Sequence, residues 1–142
     1  MNFNYKTYDV IVIGAGHAGC EAALASARMG CNTLLLTIDM DKIATMPCSP
    51  SIGGMAKGQL VKEIDALGGE MAKITDSSAI QYKTLNTRKG PAVHSTRTQN
   101  DKALYSKNMK AAIEKTKHLD LKQAMAKALL LENNMVTGIM DH

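Results

Sequence analysis

A chain of 142 residues is long enough to bury a core, and 45% hydrophobic with 21% charged residues is the balance of a globular, water-soluble domain. Lys and Arg number 17 against 13 Asp and Glu, a net +4 that permits an anionic partner without requiring one. With no Trp and a single Phe, an aromatic base-stacking platform is not expected, and three cysteines without C-x-x-C spacing argue against a disulfide framework and against a metal site. Tyr8-Asp9-Val10-Ile11-Val12-Ile13 then reads as a parallel strand buried on both faces. Gly14-Ala15-Gly16-His17-Ala18-Gly19 follows as a phosphate-gripping turn. In it Gly14 makes the exit turn, Gly16 leaves room for a pyrophosphate, and Gly19 lets the next helix pack closely. That helix, over residues 17–29, aims its unpaired N–H groups at the phosphates, and Gly30 ends it. A second strand, residues 32–37, ends in Thr37 where a ribose-binding acid is expected, and the nearest acid is Asp39. No Arg stands nearby for a 2′-phosphate, so NADP is disfavoured while FAD and NAD both remain open.

Residues 38–57 form a long connection containing Pro47, Pro50, Gly53 and Gly54, a length associated with function. A helix over 58–67 places Leu60, Val61, Ile64 and Leu67 on one face and closes at Gly68-Gly69. A strand at 80–85 leads into a second Pro/Gly/basic loop, 86–99. A helix over 101–117 carries a stripe of Tyr105, Met109, Ala112, Ile113 and Thr116. A strand at 119–123 follows, then a hairpin of 128–131 and 135–139 around Glu132-Asn133-Asn134. The apolar stretch 10–25 is interrupted by His17 and Glu21 and is too polar to span a bilayer. No signal peptide is expected ahead of the first strand, and a reducing compartment, the cytoplasm, is the expected location. A doubly wound sheet needs a further strand after the hairpin to complete its nucleotide pocket, so the sequence reads as the front of a longer protein, with residues 1–142 the N-terminal part of one dinucleotide-binding domain.

The two loops carry a family resemblance. Cys48-Ser49-Pro50-Ser51-Ile52-Gly53-Gly54, with the helix that follows, resembles the Cys-Asn-Pro-Ala-Ile-Gly-Gly segment of the tRNA uridine 5-carboxymethylaminomethyl modification enzymes, the MnmG or GidA family. Leu85-Asn86-Thr87-Arg88-Lys89-Gly90-Pro91-Ala92-Val93, followed by Arg97 and Gln99, is similar to that family's second signature. Ser49 and Ser51 depart from the usual Asn and Ala, and His94 stands where a basic or bulky residue is common. The resemblance implies an α/β, Rossmann-like FAD-binding domain of the glutathione-reductase type, with an incomplete parallel sheet and a β-hairpin excursion. It implies FAD held without a covalent bond, NADH as reductant, tRNA as substrate, an MnmE-type GTPase partner and a homodimer at full length. Gly14 to Gly19 would hold the FAD pyrophosphate, and Met125 would meet the adenine end. Cys48 reads either as a small buried hydrophobe near the flavin or as a nucleophile whose thiolate is favoured by nearby backbone N–H groups, and the resemblance favours a redox or nucleophilic role. Arg88, Lys89 and Arg97 read as contacts to a tRNA or FAD phosphate, against the plain alternative of a solvated basic loop. Lys57 is a weaker candidate of the same kind. A non-catalytic FAD-binding fragment and a nicotinamide-dependent oxidoreductase are the alternative functions.

Overall fold

The computed structural model describes residues 6–142. The expected lack of a signal peptide concerns, in part, residues 1–5, which lie outside the described residues. In chain order the elements begin with β1 (Val10–Ile13), α1 (His17–Arg28), β2 (Thr33–Thr37), β3 (Ser51–Gly53), α2 (Gly58–Ala66) and α3 (Met71–Ser78). They continue with β4 (Ala79–Leu85), β5 (Ser95–Asn100), α4 (Lys102–Lys115), β6 (Leu119–Gln123), β7 (Ala126–Glu132) and β8 (Met135–Asp141). Two compact units share the chain: residues up to Ile43 together with Thr116–His142, and Ala44–Lys115.

In the first unit the sheet order is β1-β2-β6, all parallel, with Val10 opposite Thr33 and Thr33 opposite Leu119. The central strand β2 is buried at every position. β1 departs from the expectation of burial on both faces. It is an edge strand of this sheet, and Ile13 is 54% exposed. Helix α1 buries Cys20, Ala23, Leu24 and Ala27, spaced i, i+3, i+4, i+7, and packs this stripe against the sheet. Its end is closed by Gly30 in the left-handed region and by Cys31 N–H donating to the Ser26 carbonyl. Asp9 Oδ2 accepts from Asn32 N at 2.8 Å, tying the starts of β1 and β2. Tyr8 Oη donates to Asp120 Oδ2 at 2.8 Å, and the Lys6 ammonium pairs with the same carboxylate; together they hold Asp120 below the usual carboxylate range.

The β7–β8 hairpin turns through Asn133 and Asn134, both at positive φ, the geometry of a two-residue type I′ turn. At its base Met125 and His142 exchange both backbone hydrogen bonds, and Lys122 pairs with Asp141. Its apolar side chains lie open, with Leu129, Leu131 and Val136 all more than half exposed.

In the second unit β5 is central in an antiparallel β3-β5-β4 sheet. The sequence reading has loops where β3 and β5 stand, and has no helix at α3. Ser95-Thr96-Arg97-Thr98-Gln99-Asn100 carries no large apolar residue, so its alternation is one of burial and not of hydrophobicity: Thr98 and Asn100 are buried while Arg97 is exposed. The expected α2 stripe is only partly covered. Val61 and Ile64 are half-buried, whereas Leu60 and Leu67 are exposed. The α4 stripe is buried at Tyr105, Met109 and Ile113, and Asp101 Oδ1 caps the helix by accepting from the N–H groups of Ala103 and Leu104.

Asn100 is 2% exposed, and neither polar atom of its side chain has a hydrogen-bond partner among the described residues. An unpaired buried amide costs about 1–3 kcal/mol. Asn100→Ala should therefore leave the unfolding free energy within about 1 kcal/mol of wild type or raise it, the relieved amide offsetting the small cavity. A loss well above that in denaturant titration would show that the amide is bonded.

Candidate functional site

The first unit gathers its candidate residues at one edge of the parallel sheet. The carboxyl end of β1 runs into Gly14, that of β2 into Thr37 and Asp39, and that of β6 into Met125. In open α/β sheets this is the edge where nucleotides bind. Gly14 sits at φ +99°, a conformation that disfavours side chains, and donates its N–H to the Leu36 carbonyl at 2.7 Å. Gly19 is required for another reason: a Cβ there would lie 1.8 Å from the Gly14 carbonyl oxygen. The helix thus rests directly on the loop backbone. At Gly16 the situation reverses. A Cβ would meet nothing within 4 Å, so the space ahead of the helix is open.

Gly16 is the N-cap of α1, no side chain caps the helix, and its first turn carries no acid. The N–H groups of Ala18 and Gly19 belong to that turn, where no helical carbonyl lies behind them. A glycine cradle with open space, uncapped donors and the positive end of a helix dipole fits a pyrophosphate. Ala15 is buried, and its carbonyl accepts from Cys20 Sγ. His17 is half-buried; burial pushes its imidazole below the ordinary value, with Glu21 pulling the other way. The Thr37 hydroxyl donates to the Asp39 carbonyl at 3.2 Å, and Asp39 Oδ1 accepts from Asp41 N at 2.8 Å. Ala124 N donates to the Thr37 carbonyl, which sets Met125 beside the end of β2.

The second unit holds the other candidates. A cleft of about 590 Å³ is lined by Gly53, Gly54, Lys57, Ile64, Met71 and Arg97, among others. Gly53 has φ +80°, and a Cβ there would fall 2.5 Å from the Thr96 carbonyl oxygen. The Gly54 carbonyl accepts from Lys57 N, Gly58 N and Ser95 Oγ, which fixes the entry to α2. Cys48 is exposed, is not in a disulfide, and leads into β3 and not directly into a helix. Asn100 N donates to the Pro50 carbonyl and pins that segment two residues beyond Cys48. Arg88 and Lys89 are exposed in the turn after β4, and neither lines the cleft. The turn is held by Asn86 Nδ2 on the Val93 carbonyl and by the His94 ring on the Lys89 carbonyl. Lys83, which the sequence reading passed over inside a strand, stands directly opposite Arg97. Among the described residues no cluster of His, Cys, Asp or Glu is placed to hold a metal, and no helix is long and apolar enough to cross a membrane.

The family model described as "Glucose inhibited division protein A" matches residues 9–142. The tRNA uridine 5-carboxymethylaminomethyl modification enzyme MnmG of Syntrophobacter fumaroxidans is 63% identical over 134 residues, which make up 94% of this chain and 21% of that protein. GidA of Aquifex aeolicus superposes with a TM-score of 0.94 at 50% identity, over 98% of this chain and 23% of that one. The flavin-dependent brominase Bmp2, at 20% identity and a TM-score of 0.59 over 95% of this chain and 34% of its own, shares the fold. The chain therefore spans about a fifth of the length of the curated relative it matches. The Rossmann-like class expected from the sequence, with its incomplete parallel sheet and hairpin, is the class observed.

Two measurements follow from the first unit. Gly16→Ala should change stability by less than about 1 kcal/mol, because the new methyl enters open space, whereas Gly19→Ala should cost at least about 3 kcal/mol, because a backbone carbonyl must move. Equal losses in chemical denaturation would refute the geometry. The depressed His17 value gives stability that is complete above about pH 6.5 and is lost as pH falls through the lower folded-state value. His17→Gln should flatten that part of the curve of thermal midpoint against pH; an unchanged acid limb would assign it to other groups.

Proposed function

Because the chain belongs to the glucose inhibited division protein A family, we propose that it is the FAD-binding front of an enzyme that modifies C5 of the wobble uridine in tRNA. The observation that carries this reading is the sheet edge of the first unit: an open glycine cradle before an uncapped, acid-free helix N-terminus. Gly14, Ala15, Gly16, His17, Ala18 and Gly19 would hold the pyrophosphate of FAD, and Met125 the adenine end. Bound FAD would supply electron transfer, with NADH as the reductant. The residues of this chain bind it, orient it and leave the approach at Gly16 clear.

Cys48 is assigned as the nucleophile. Its thiolate adds to C6 of the uracil ring, the C5–C6 π pair moves onto C5, and C5 becomes reactive toward a one-carbon unit carried by folate. When C5 has been substituted and has lost its proton, the S–C6 bond breaks and the thiolate is regenerated. The exposure of Cys48 supports this role. Arg88, Lys89 and Arg97 are assigned to phosphate: Arg97 to tRNA, and Arg88 and Lys89 to tRNA or to FAD. The same reading assigns the intact protein an MnmE-type GTPase partner, a homodimeric state and a cytoplasmic location.

A crossed test separates the roles. In the intact protein Gly16→Val should strip the visible flavin absorbance, since its side chain occupies the space the pyrophosphate needs. Cys48→Ser should keep the flavin and lose modified uridine to background, an alcohol being far less ionised than a thiol at neutral pH. Full flavin in Gly16→Val would remove the cofactor assignment, and normal modified nucleoside in Cys48→Ser would return that residue to packing.

A further inference from the structure

One face of the β3-β5-β4 sheet carries cations and amides with no acid among them. The register places Lys83 on β4 opposite Arg97 on β5, and Arg97 opposite Gly53 on β3. One step along, Gln81 stands opposite Gln99, and Gln99 opposite Ser51. Residues directly opposite share a face, and so do residues two apart on one strand, so Ser51, Gln81, Lys83, Arg97 and Gln99 form one continuous surface. Ser51 Oγ donates to Gln99 Oε1 at 3.3 Å, which leaves the Gln99 amide nitrogen to donate elsewhere.

Like charges set directly opposite across antiparallel strands destabilise a sheet. Here neither Lys83 nor Arg97 forms an ion pair among the described residues. Both are exposed, and the stem of Arg97 rests where a Cβ at Gly54 would contact its Cδ at 3.4 Å. Two cations about 5 Å apart at their Cα atoms are close enough for both side chains to reach a single anion of phosphate size. The neighbouring amide nitrogens add donors, and Tyr82 lies on the opposite face of the strand, so a ligand on this face would be met through its backbone and not by stacking on a base.

We propose that this sheet face is a landing surface for the phosphodiester backbone of single-stranded RNA, with Lys83 and Arg97 gripping one phosphate between them. The inference rests on the tRNA reading above and adds Lys83 to it as a phosphate-binding residue. The FAD pyrophosphate already has its cradle at Gly14 to Gly19, which leaves the Lys83–Arg97 pair for the polynucleotide.

The test uses the intact protein and an unmodified tRNA transcript. Lys83→Gln, Arg97→Gln and the double variant are compared for transcript affinity across a salt series, for flavin absorbance and for thermal midpoint without RNA. Lys83→Gln should weaken binding several-fold and reduce the slope of log affinity against log salt by roughly 0.7. Flavin content should stay at wild type, and the midpoint should hold or rise as the like-charge repulsion is removed. Because the two cations share one phosphate, the double variant should lose less than the product of the single losses, and Lys83→Arg should restore binding. An unchanged slope in Lys83→Gln, a fall in flavin, or a lowered midpoint that Lys83→Arg does not restore would each overturn the proposal. If the wild type itself ignores the transcript, the tRNA reading falls first; if it binds and Lys83→Gln binds equally, only this inference falls.

Discussion

The first unit depends on one contact of two backbones. At Gly19 the helix lies so close to the Gly14 carbonyl that a single added carbon would sit 1.8 Å from its oxygen. That approach fixes the start and tilt of α1, and with them the direction of its dipole. It also brings Cys20, Ala23, Leu24 and Ala27 down onto the sheet, where their burial supplies the favourable energy. At Gly16, three residues earlier, a Cβ would meet nothing within 4 Å, so the same short segment leaves open space before a helix start that no side chain caps. One steric requirement thus sets both the packing and the electrostatics of the sheet edge.

In the second unit the corresponding anchor is a carbonyl. Gly54 O receives two backbone N–H groups and a serine hydroxyl, so the turn between β3 and α2 is over-determined. Gly53 and Gly54 adopt left-handed conformations there, and Ala56 does so without being glycine. A residue with a Cβ held at positive φ costs energy that its surroundings must supply, and such strain tends to collect where a surface has work to do. The unpaired Lys83 and Arg97 on the adjoining strands belong to the same pattern: local stability is given up at a place where a ligand would restore it.

Much of this was legible in the residues. The spaced glycines between the apolar runs of β1 and β2 name a parallel βαβ start, and the leucines of β2 follow from its burial at every position, whereas β1 is apolar though only partly covered. The Asn133-Asn134 turn was legible because few residues tolerate positive φ twice in succession. β5 was hidden because its inward positions are Thr98 and Asn100, which no hydrophobic pattern marks. β3 was hidden by its three-residue length, and α3 by its second half, Thr75-Asp76-Ser77-Ser78, whose residues have weak helical preference. At the site, Gly14, Gly16 and Gly19 were readable from spacing alone, whereas Lys83 was not, since its meaning comes from the residue across the strand.

The open hairpin has a consequence for how this chain behaves in a test tube. A two-stranded ribbon is marginal in water without a third strand or a helix to cover it. Among the described residues this one pairs with no further strand, and it shows Leu129, Leu131, Met135 and Val136 to solvent. Such a ribbon is a template for strand addition by any second extended chain. Lys127, Glu132 and Asp141 are the charges that interrupt its apolar run, and they act as gatekeepers against fibrous self-association.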